Sequence, residues 1–228
     1  MLILGIDTAT RIASVGLVRD GTLLTEESCP AVSNHTDTLI PLITSLLTHS
    51  GVGLSEIQGI GVSTGPGSFT GLRIALSTAK GLAYALGQKV VSVSTLEALA
   101  LTITDWQGTI CPLLDARKGE VYAAFFRRSQ DGLCERLTPD QVYSPPVLLE
   151  QCSTPCLFLG DGGEIYEKLI REHCGSEAQI LPFASHSPRG TVVAWLAWKR
   201  LRQRDYDDLS SLEPRYVRKP DAEFKRIN

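Results

Sequence analysis

The stretch Ser63-Thr64-Gly65-Pro66-Gly67-Ser68-Phe69-Thr70-Gly71-Leu72-Arg73 joins two segments with different hydrophobic patterns. Residues 58–62 before it predict a short apolar strand, and residues 69–86 after it have helical spacing without proline. Glycine permits backbone angles and close approaches that a side chain would block. The free N–H groups at the start of the helix could bind an anion. Alternatively, Gly-Pro-Gly forms only a tight turn and Ser68 caps the helix, and spacing alone favours this second interpretation.

Composition limits the classes of protein to which the chain can belong. It has 228 residues, of which 43% are hydrophobic and 21% charged, as is ordinary for one large globular domain or two small ones. No apolar run approaches the ~20 residues needed to span a bilayer, so we expect no membrane partner. Residues 1–7 predict a strand rather than a secretory signal, and we therefore expect a cytoplasmic location.

The net charge of −3 argues against a protein that binds nucleic acid on its own, because such proteins usually carry a basic excess. The cations are concentrated late in the chain, where we expect a solvated helix face and a polar tail. A contribution to RNA binding within a larger assembly is the alternative. These cations are Lys199, Arg200, Arg202, Arg204, Arg215, Arg218, Lys219, Lys225 and Arg226.

The six cysteines are scattered along the chain in apolar or loop contexts, and in a cytosolic protein they are most simply reduced thiols. Cys152 and Cys156 are four residues apart, but no second cysteine or histidine pair completes a metal site. We therefore expect no metal.

The order of predicted elements repeats along the chain. Residues 2–104 predict three strands followed by alternating helices and strands, and the same order starts again at Thr109. Asp20-Gly21 predicts a hairpin turn in the first copy, and Asp131-Gly132 predicts one that joins residues 120–127 to 133–137 in the second. Two similar units therefore follow, an N-terminal unit of residues 1–104 and a C-terminal unit of residues 105–228 with a basic helix and tail.

Each unit has the order β-β-β-α-β-α-β-α, which is the α/β ribonuclease-H-like half of the actin, Hsp70 and sugar-kinase (ASKHA) architecture. In that architecture nucleotide phosphates lie between the halves, and Gly5-Ile6-Asp7-Thr8-Ala9-Thr10 resembles the first phosphate loop. A carboxylate there could hold a hydrated cation while hydroxyls and backbone N–H groups face phosphate. Both first strands end in aspartate, so a vestigial nucleotide or anion cleft would be lined by Asp7, Thr8, Thr10, Gly65, Gly67, Ser68 and Asp115.

Four motifs together resemble the TsaB (YeaZ) family over the whole length of the chain. They are Gly5–Thr10, the central stretch at Gly65–Arg73, Ser92-Val93-Ser94-Thr95-Leu96, and Asp115-Ala116-Arg117-Lys118-Gly119-Glu120-Val121-Tyr122. The resemblance implies a cytoplasmic, non-catalytic subunit of the bacterial machinery that makes threonylcarbamoyladenosine at position 37 of tRNAs reading codons that begin with A. It implies binding to TsaD, the paralogue that transfers the threonylcarbamoyl group, together with the ATPase TsaE, while TsaC supplies the threonylcarbamoyl-adenylate.

The resemblance also provides a test for catalysis. Members of the TsaD branch bind a metal through two histidines four residues apart on the first helix, but here His35 is followed at that spacing by Leu39. We therefore expect a pseudo-enzyme with no catalytic residue and no cofactor of its own, with ATP and Mg²⁺ acting at the level of the assembly. The alternative is an ATP-binding or hydrolytic, metalloprotease-like enzyme of the same fold, for which Gly160-Asp161-Gly162-Gly163 is only a modest glycine turn.

The two helices of the first unit are more apolar than one face of a sheet requires. The second carries only a narrow polar stripe of Arg73, Ser77, Lys80 and Tyr84. We expect both helices to dock onto the matching pair in TsaD as a four-helix bundle, and the same surface to form a homodimer when TsaD is absent. We expect tRNA to bind the chain only through the complex. The expected interface residues are Leu39, Leu42, Ile43, Leu46, Leu72, Ala75, Ala79, Leu82, Ala83 and Leu86.

Overall fold

The computed structural model describes residues 1–30, 36–129 and 133–218. The first five strands form one mixed sheet in the order β3-β2-β1-β4-β5. Strand β2 runs antiparallel to its neighbours β1 and β3, whereas β4 and β5 run parallel to β1. This confirms the ribonuclease-H-like topology predicted for the first half. The strands are β1 (Leu2–Asp7), β2 (Ile12–Arg19), β3 (Thr22–Pro30), β4 (Gly59–Gly65) and β5 (Val90–Ser94).

Helices cover both faces of this sheet. Side chains alternate between the two faces along each strand, so each face presents apolar side chains to a helix layer. On β1, Leu4 and Ile6 pack with helices α1 (Thr36–Ser50) and α2 (Phe69–Leu86). Ile3 points the other way and packs with the C-terminal helix α7 (Gly190–Arg202) and with α3 (Thr95–Leu101). Helix α2 begins and ends at the residues predicted for it, 69 and 86.

The second sheet repeats the order of the first as β10-β7-β6-β11-β12. Its helices are α4 (Pro145–Glu150), α5 (Asp161–Ile165) and α6 (Glu167–Cys174). Its strands are β6 (Thr109–Arg117), β7 (Glu120–Ala123), β8 (Phe126–Arg128), β9 (Cys134–Arg136), β10 (Gln141–Tyr143), β11 (Cys156–Leu159) and β12 (Ala178–Ile180).

The hairpin predicted at residues 120–127 and 133–137 needs correction. The first predicted strand is interrupted at Ala124 and Phe125, so that β7 and β8 pair separately with β6. The second predicted strand corresponds to β9, which pairs with β8, while the partner of β7 is a further strand, β10, that was not predicted. Phe125 is buried with Val121 and Ala123 in one core cluster, and Phe126 is buried with Ala124 in another. Asp131-Gly132 lies outside the described residues.

The division of the chain at residues 104 and 105 needs a second correction. Although α7 follows the second sheet in the chain, it packs across β1, β2, β4 and β5 of the first sheet. A Cβ atom on Gly5 would lie 2.0 Å from the backbone oxygen of Gly190, and the Gly190 N–H donates to Ser14 Oγ at 2.9 Å. The absence of side chains at this crossing lets the helix approach the strands closely. The C-terminal helix therefore belongs structurally to the N-terminal half.

Among the residues that the structure describes, none of the helices is long and apolar enough to cross a lipid bilayer.

Candidate functional site

The glycine-rich turn packs directly against the turn between β1 and β2. Thr8 Oγ1 donates to the backbone oxygen of Gly71 at 2.7 Å, and the Ser68 N–H donates to the backbone oxygen of Ala9 at 2.7 Å. A Cβ atom at Gly71 would lie 1.9 Å from the Thr8 oxygen, and one at Gly67 would lie 2.3 Å from the Ala9 oxygen. The glycines therefore serve a close approach between two segments of the chain.

Ser68 begins α2 as the predicted helix cap. Its Oγ accepts a hydrogen bond from the Gly71 N–H at 3.2 Å, and its backbone oxygen accepts one from the Leu72 N–H at 2.8 Å. A serine hydroxyl satisfies one of the donors that a helix start leaves free. Of the two interpretations of this stretch, the turn with a serine cap is the one that these contacts support.

Asp7 ends β1 with its side chain fully buried. Its Oδ1 accepts a hydrogen bond from the Ala9 N–H at 3.0 Å. The Ser63 hydroxyl lies nearby and favours the charged form of Asp7, which lowers its pKa. Among the described residues, however, neither Asp7 Oδ2 nor Ser63 Oγ completes a hydrogen bond. Burial dominates and raises the pKa of Asp7 from the ordinary 3.8 to about 6.

Because its pKa is raised, folded Asp7 holds its proton more tightly than unfolded Asp7 does. Its contribution to stability is full below the unfolded pKa of 3.8, declines as the pH rises, and is lost above the folded pKa of about 6. We therefore expect Asp7→Asn, which removes the buried charge, to raise the free energy of unfolding at pH 8 by about 2 kcal/mol. At pH 4 the variant should show little gain, and urea unfolding at the two pH values measures the difference.

The control for this prediction is Glu150→Gln, which removes an exposed carboxylate at the end of α4. It should leave the difference in stability between pH 4 and pH 8 unchanged. A gain for Asp7→Asn that is equal at both pH values would contradict the buried charge as its cause.

The facing half of the molecule presents a second acidic group. Asp115 lies half-buried in β6, and its backbone N–H donates to Asp161 Oδ1 at 3.0 Å. Burial raises the pKa of Asp161, and this increase is opposed first by the hydrogen bond from Asp115 and then by the charge of Arg11 in the β1–β2 turn. Arg11 also forms an ion pair with Glu164 at 3.4 Å and lies 5.0 Å from the centre of the Phe183 ring. The two halves are thus joined at this point by one arginine among carboxylates.

The residues predicted for the cleft divide into two groups. Thr8, Thr10 and Gly65 are buried with Asp7 around the interlocked turns, whereas Ser68 is exposed and Gly67 half-buried. No hydrogen bond or ion pair of the described residues links these to Asp115. Within the described parts of the chain, no three histidine, cysteine or acidic side chains are grouped as a metal site requires. His35 lies outside the described residues.

Most of the predicted interface residues are buried in the core of the first half, and this part of the prediction needs correction. The seven buried side chains are Leu39, Ile43, Leu46, Leu72, Ala75, Ala79 and Ala83. Only Leu42, Leu82 and Leu86 remain partly exposed. The sheet takes the apolar positions that the helical pattern left free for a partner, so these seven residues cannot make the contact.

The same two helices nevertheless present other apolar side chains to solvent. Ile40 on α1 is 51% exposed and Tyr84 on α2 is 87% exposed. We define the α1–α2 surface as the partly or fully exposed apolar side chains Ile40, Leu42, Leu47, Ile74, Leu82, Tyr84 and Leu86.

Sequence reasoning missed a segment at the C-terminal end that packs beside α2. The Tyr216 ring stacks on Phe69 with 5.0 Å between ring centres, and Arg73 Nε donates to Tyr216 Oη at 2.9 Å. Lys80 Nζ donates to the backbone oxygen of Leu212 at 3.0 Å. The polar stripe on α2 was the available signal, because two of its four members hold this segment.

Known proteins are similar to this chain in both sequence and fold. Residues 30–226 match the family model described as TsaD, tRNA N6-adenosine threonylcarbamoyltransferase. The tRNA threonylcarbamoyladenosine biosynthesis protein TsaB of Bacillus subtilis is 33% identical over 230 residues, which cover 100% of this chain and 98% of that protein. TsaB of Escherichia coli is 35% identical over 178 residues, covering 75% of this chain and 76% of that protein.

A solved structure from Pseudomonas aeruginosa, described as an uncharacterized protein with similarity to peptidase YEAZ, superimposes with a TM-score of 0.80 at 27% identity. The superposition covers 95% of this chain and 99% of that one. By full-length identity to the Bacillus subtilis protein, the chain belongs to the TsaB (YeaZ) family.

Proposed function

We propose that this chain is a non-catalytic scaffold subunit in the biosynthesis of threonylcarbamoyladenosine at adenosine 37 of tRNAs that read codons beginning with A. It binds and stabilises TsaD, which carries out the transfer, and works with TsaE in the cytoplasm. Membership of a family whose curated members are named for this biosynthesis supports the pathway.

One observation supports the non-catalytic part of the proposal. The turns that would hold phosphate in this architecture are hydrogen-bonded to each other, with backbone oxygens where a glycine Cβ would be. The start of α2 is capped by Ser68 from within the chain. We infer that ATP and Mg²⁺ act at the level of the assembly, and that the N-terminal half has a structural role in that assembly.

The α1–α2 surface supports the choice of partner. The side chains of Ile40 and Tyr84 are more than half exposed, and they lie on two helices that pack together. They can provide the apolar contact that the core of an interface requires. In this proposal TsaD covers the surface, a second copy of the chain covers it when TsaD is absent, and tRNA reaches the chain through the complex.

An enzyme of the same fold that binds ATP or hydrolyses peptides is the alternative, and the word peptidase in the description of the Pseudomonas structure favours only its peptide-hydrolysing form. Purified chain incubated alone with ATP and Mg²⁺ distinguishes the two. Turnover, or tight binding of one nucleotide per chain, would support the enzyme.

Reconstitution tests the proposed function. Purified TsaC, TsaD, TsaE and tRNA are combined with and without this chain, and threonylcarbamoyladenosine is measured after digestion of the tRNA. We expect modification only when the chain is present and none from the chain without TsaD. Equal modification with and without the chain would contradict the proposal.

A further inference from the structure

Four cysteines that are far apart in the sequence meet in the core of the second half. Cys111 in β6 and Cys156 in β11 are buried there, and Cys152 and Cys174 are partly buried against the same cluster. Cys152 lies just after α4, and Cys174 is the last residue of α6. Since α4 and α6 pack together, the fold groups thiols that the sequence presented as scattered.

The thiol of Cys152 is central to this cluster. The neighbouring thiols of Cys156 and Cys174 lower its pKa against the effect of partial burial. Burial, with the negative charge of Cys152 nearby, raises the pKa of Cys174 to about 11. The pKa of Cys156 is also raised, chiefly by the neighbouring thiol of Cys152. Cys152 is therefore the member of the group that ionises first.

We propose that Cys152 is a thiol-modification site for low-molecular-weight disulfides, and that Cys174 resolves the adduct to form a Cys152–Cys174 disulfide. Cys152 is half-buried, so a small disulfide can reach it, and Cys174 is the other half-buried thiol that packs against the same core cluster.

The reaction is balanced by the disulfide that it consumes. The Cys152 thiolate attacks one sulfur of a disulfide RSSR, forms a mixed disulfide with one RS group and expels the other as a thiolate that takes up a proton. The Cys174 thiol loses its proton and attacks the Cys152 sulfur, and the second RS group leaves as RSH. The two protein thiols are oxidised, and one RSSR is reduced to two RSH.

The surroundings favour Cys174 over Cys156 as the resolving residue. Cys156 is fully buried in β11 and aligned with Thr109 on one side and Ala178 on the other, so it is fixed by two strands. Cys174 is half-buried at a helix end, and Gly175 after it has a φ of 59°. A helix end followed by glycine can adjust its backbone to the narrow geometry that a disulfide requires.

A metal centre is the competing explanation for clustered thiols. A structural zinc site needs four ligands in a tetrahedral arrangement. Within the described residues no group of three or more cysteine, histidine or acidic side chains has such an arrangement. Two half-buried thiols, Cys152 after α4 and Cys174 at the end of the adjoining α6, instead match a nucleophile with its resolving partner.

Glutathione disulfide is the probe for the test. After incubation of the full chain at neutral pH, we expect the intact mass to fall by two hydrogens and unreduced digests to contain a Cys152–Cys174 cross-link. Cys174→Ser should retain one glutathione on Cys152, and Cys152→Ser should form no disulfide. Limiting iodoacetamide on the wild-type chain should label Cys152 about tenfold faster than Cys29.

Cys29 is the matched control, because it is also half-buried but lies in β3 of the first half, where burial raises its pKa. Cys29→Ser should form the Cys152–Cys174 disulfide at the wild-type rate. Labelling of Cys29 as fast as Cys152, or a disulfide that persists in Cys174→Ser, would overturn the proposal. Uptake of one Zn²⁺ that protects the four thiols and prevents any disulfide would overturn it as well.

Discussion

Replacing Gly71 with alanine is expected to destabilise the folded chain by about 4 kcal/mol, although alanine is the better helix former. The new Cβ would lie 1.9 Å from the backbone oxygen of Thr8, a distance at which the two segments must separate. Separation breaks the hydrogen bonds from Thr8 Oγ1 to Gly71 and from Ser68 to Ala9, at about 1 kcal/mol each. Urea unfolding of the purified variant measures the loss.

Gly81 on the same helix is the matched control for this prediction. It is exposed, and nothing lies within 4 Å of the position of its Cβ. Gly81→Ala should therefore stabilise the chain by about 1 kcal/mol, through the entropy that glycine loses in a helix. If both variants change stability in the same direction, the close approach of the two turns is not what requires glycine at position 71.

The first half of the fold could be predicted closely, because its signals are local. Helix α2 lies between a serine cap and Gly87, whose φ of 66° ends the helix, and the predicted and observed bounds agree. The break between β7 and β8 had no such signal, since residues 120–127 alternate well enough for one strand. The position of α7 depends on the crossing of Gly190 with Gly5, which lies 185 residues earlier in the chain. Periodicity within a helix carries no information about which sheet the helix covers.

The candidate site was predictable in its residues but not in their environment. The sequence identifies Asp7 as a strand-end acid, yet whether its carboxyl faces solvent or a closed core depends on how the glycine turn packs over it. The interface prediction was wrong for seven residues for the same reason. Helical spacing shows that α1 and α2 are apolar on more than one side, but only the sheet beneath them decides which side is left for a partner.

Replacing Ile40 and Tyr84 together with lysine is expected to weaken binding to TsaD by about 100-fold while leaving the chain folded. Both side chains are more than half exposed, so lysine costs little in the isolated chain. In the proposed complex they would be covered, and two buried ammonium groups without partners would oppose association. Titration calorimetry with TsaD measures the affinity, and thermal unfolding checks the fold.

Ile165→Lys provides the control, because Ile165 on α5 is 57% exposed against 51% for Ile40, but lies in the second half of the molecule. It should bind TsaD as tightly as the wild-type chain. The same comparison applies to the homodimer, which should dissociate in the Ile40→Lys, Tyr84→Lys variant and persist in Ile165→Lys when sedimentation is measured without TsaD. Tight TsaD binding by the double variant would mean that the partner contacts another face, and the apolar exposure of α1 and α2 would then need a different explanation.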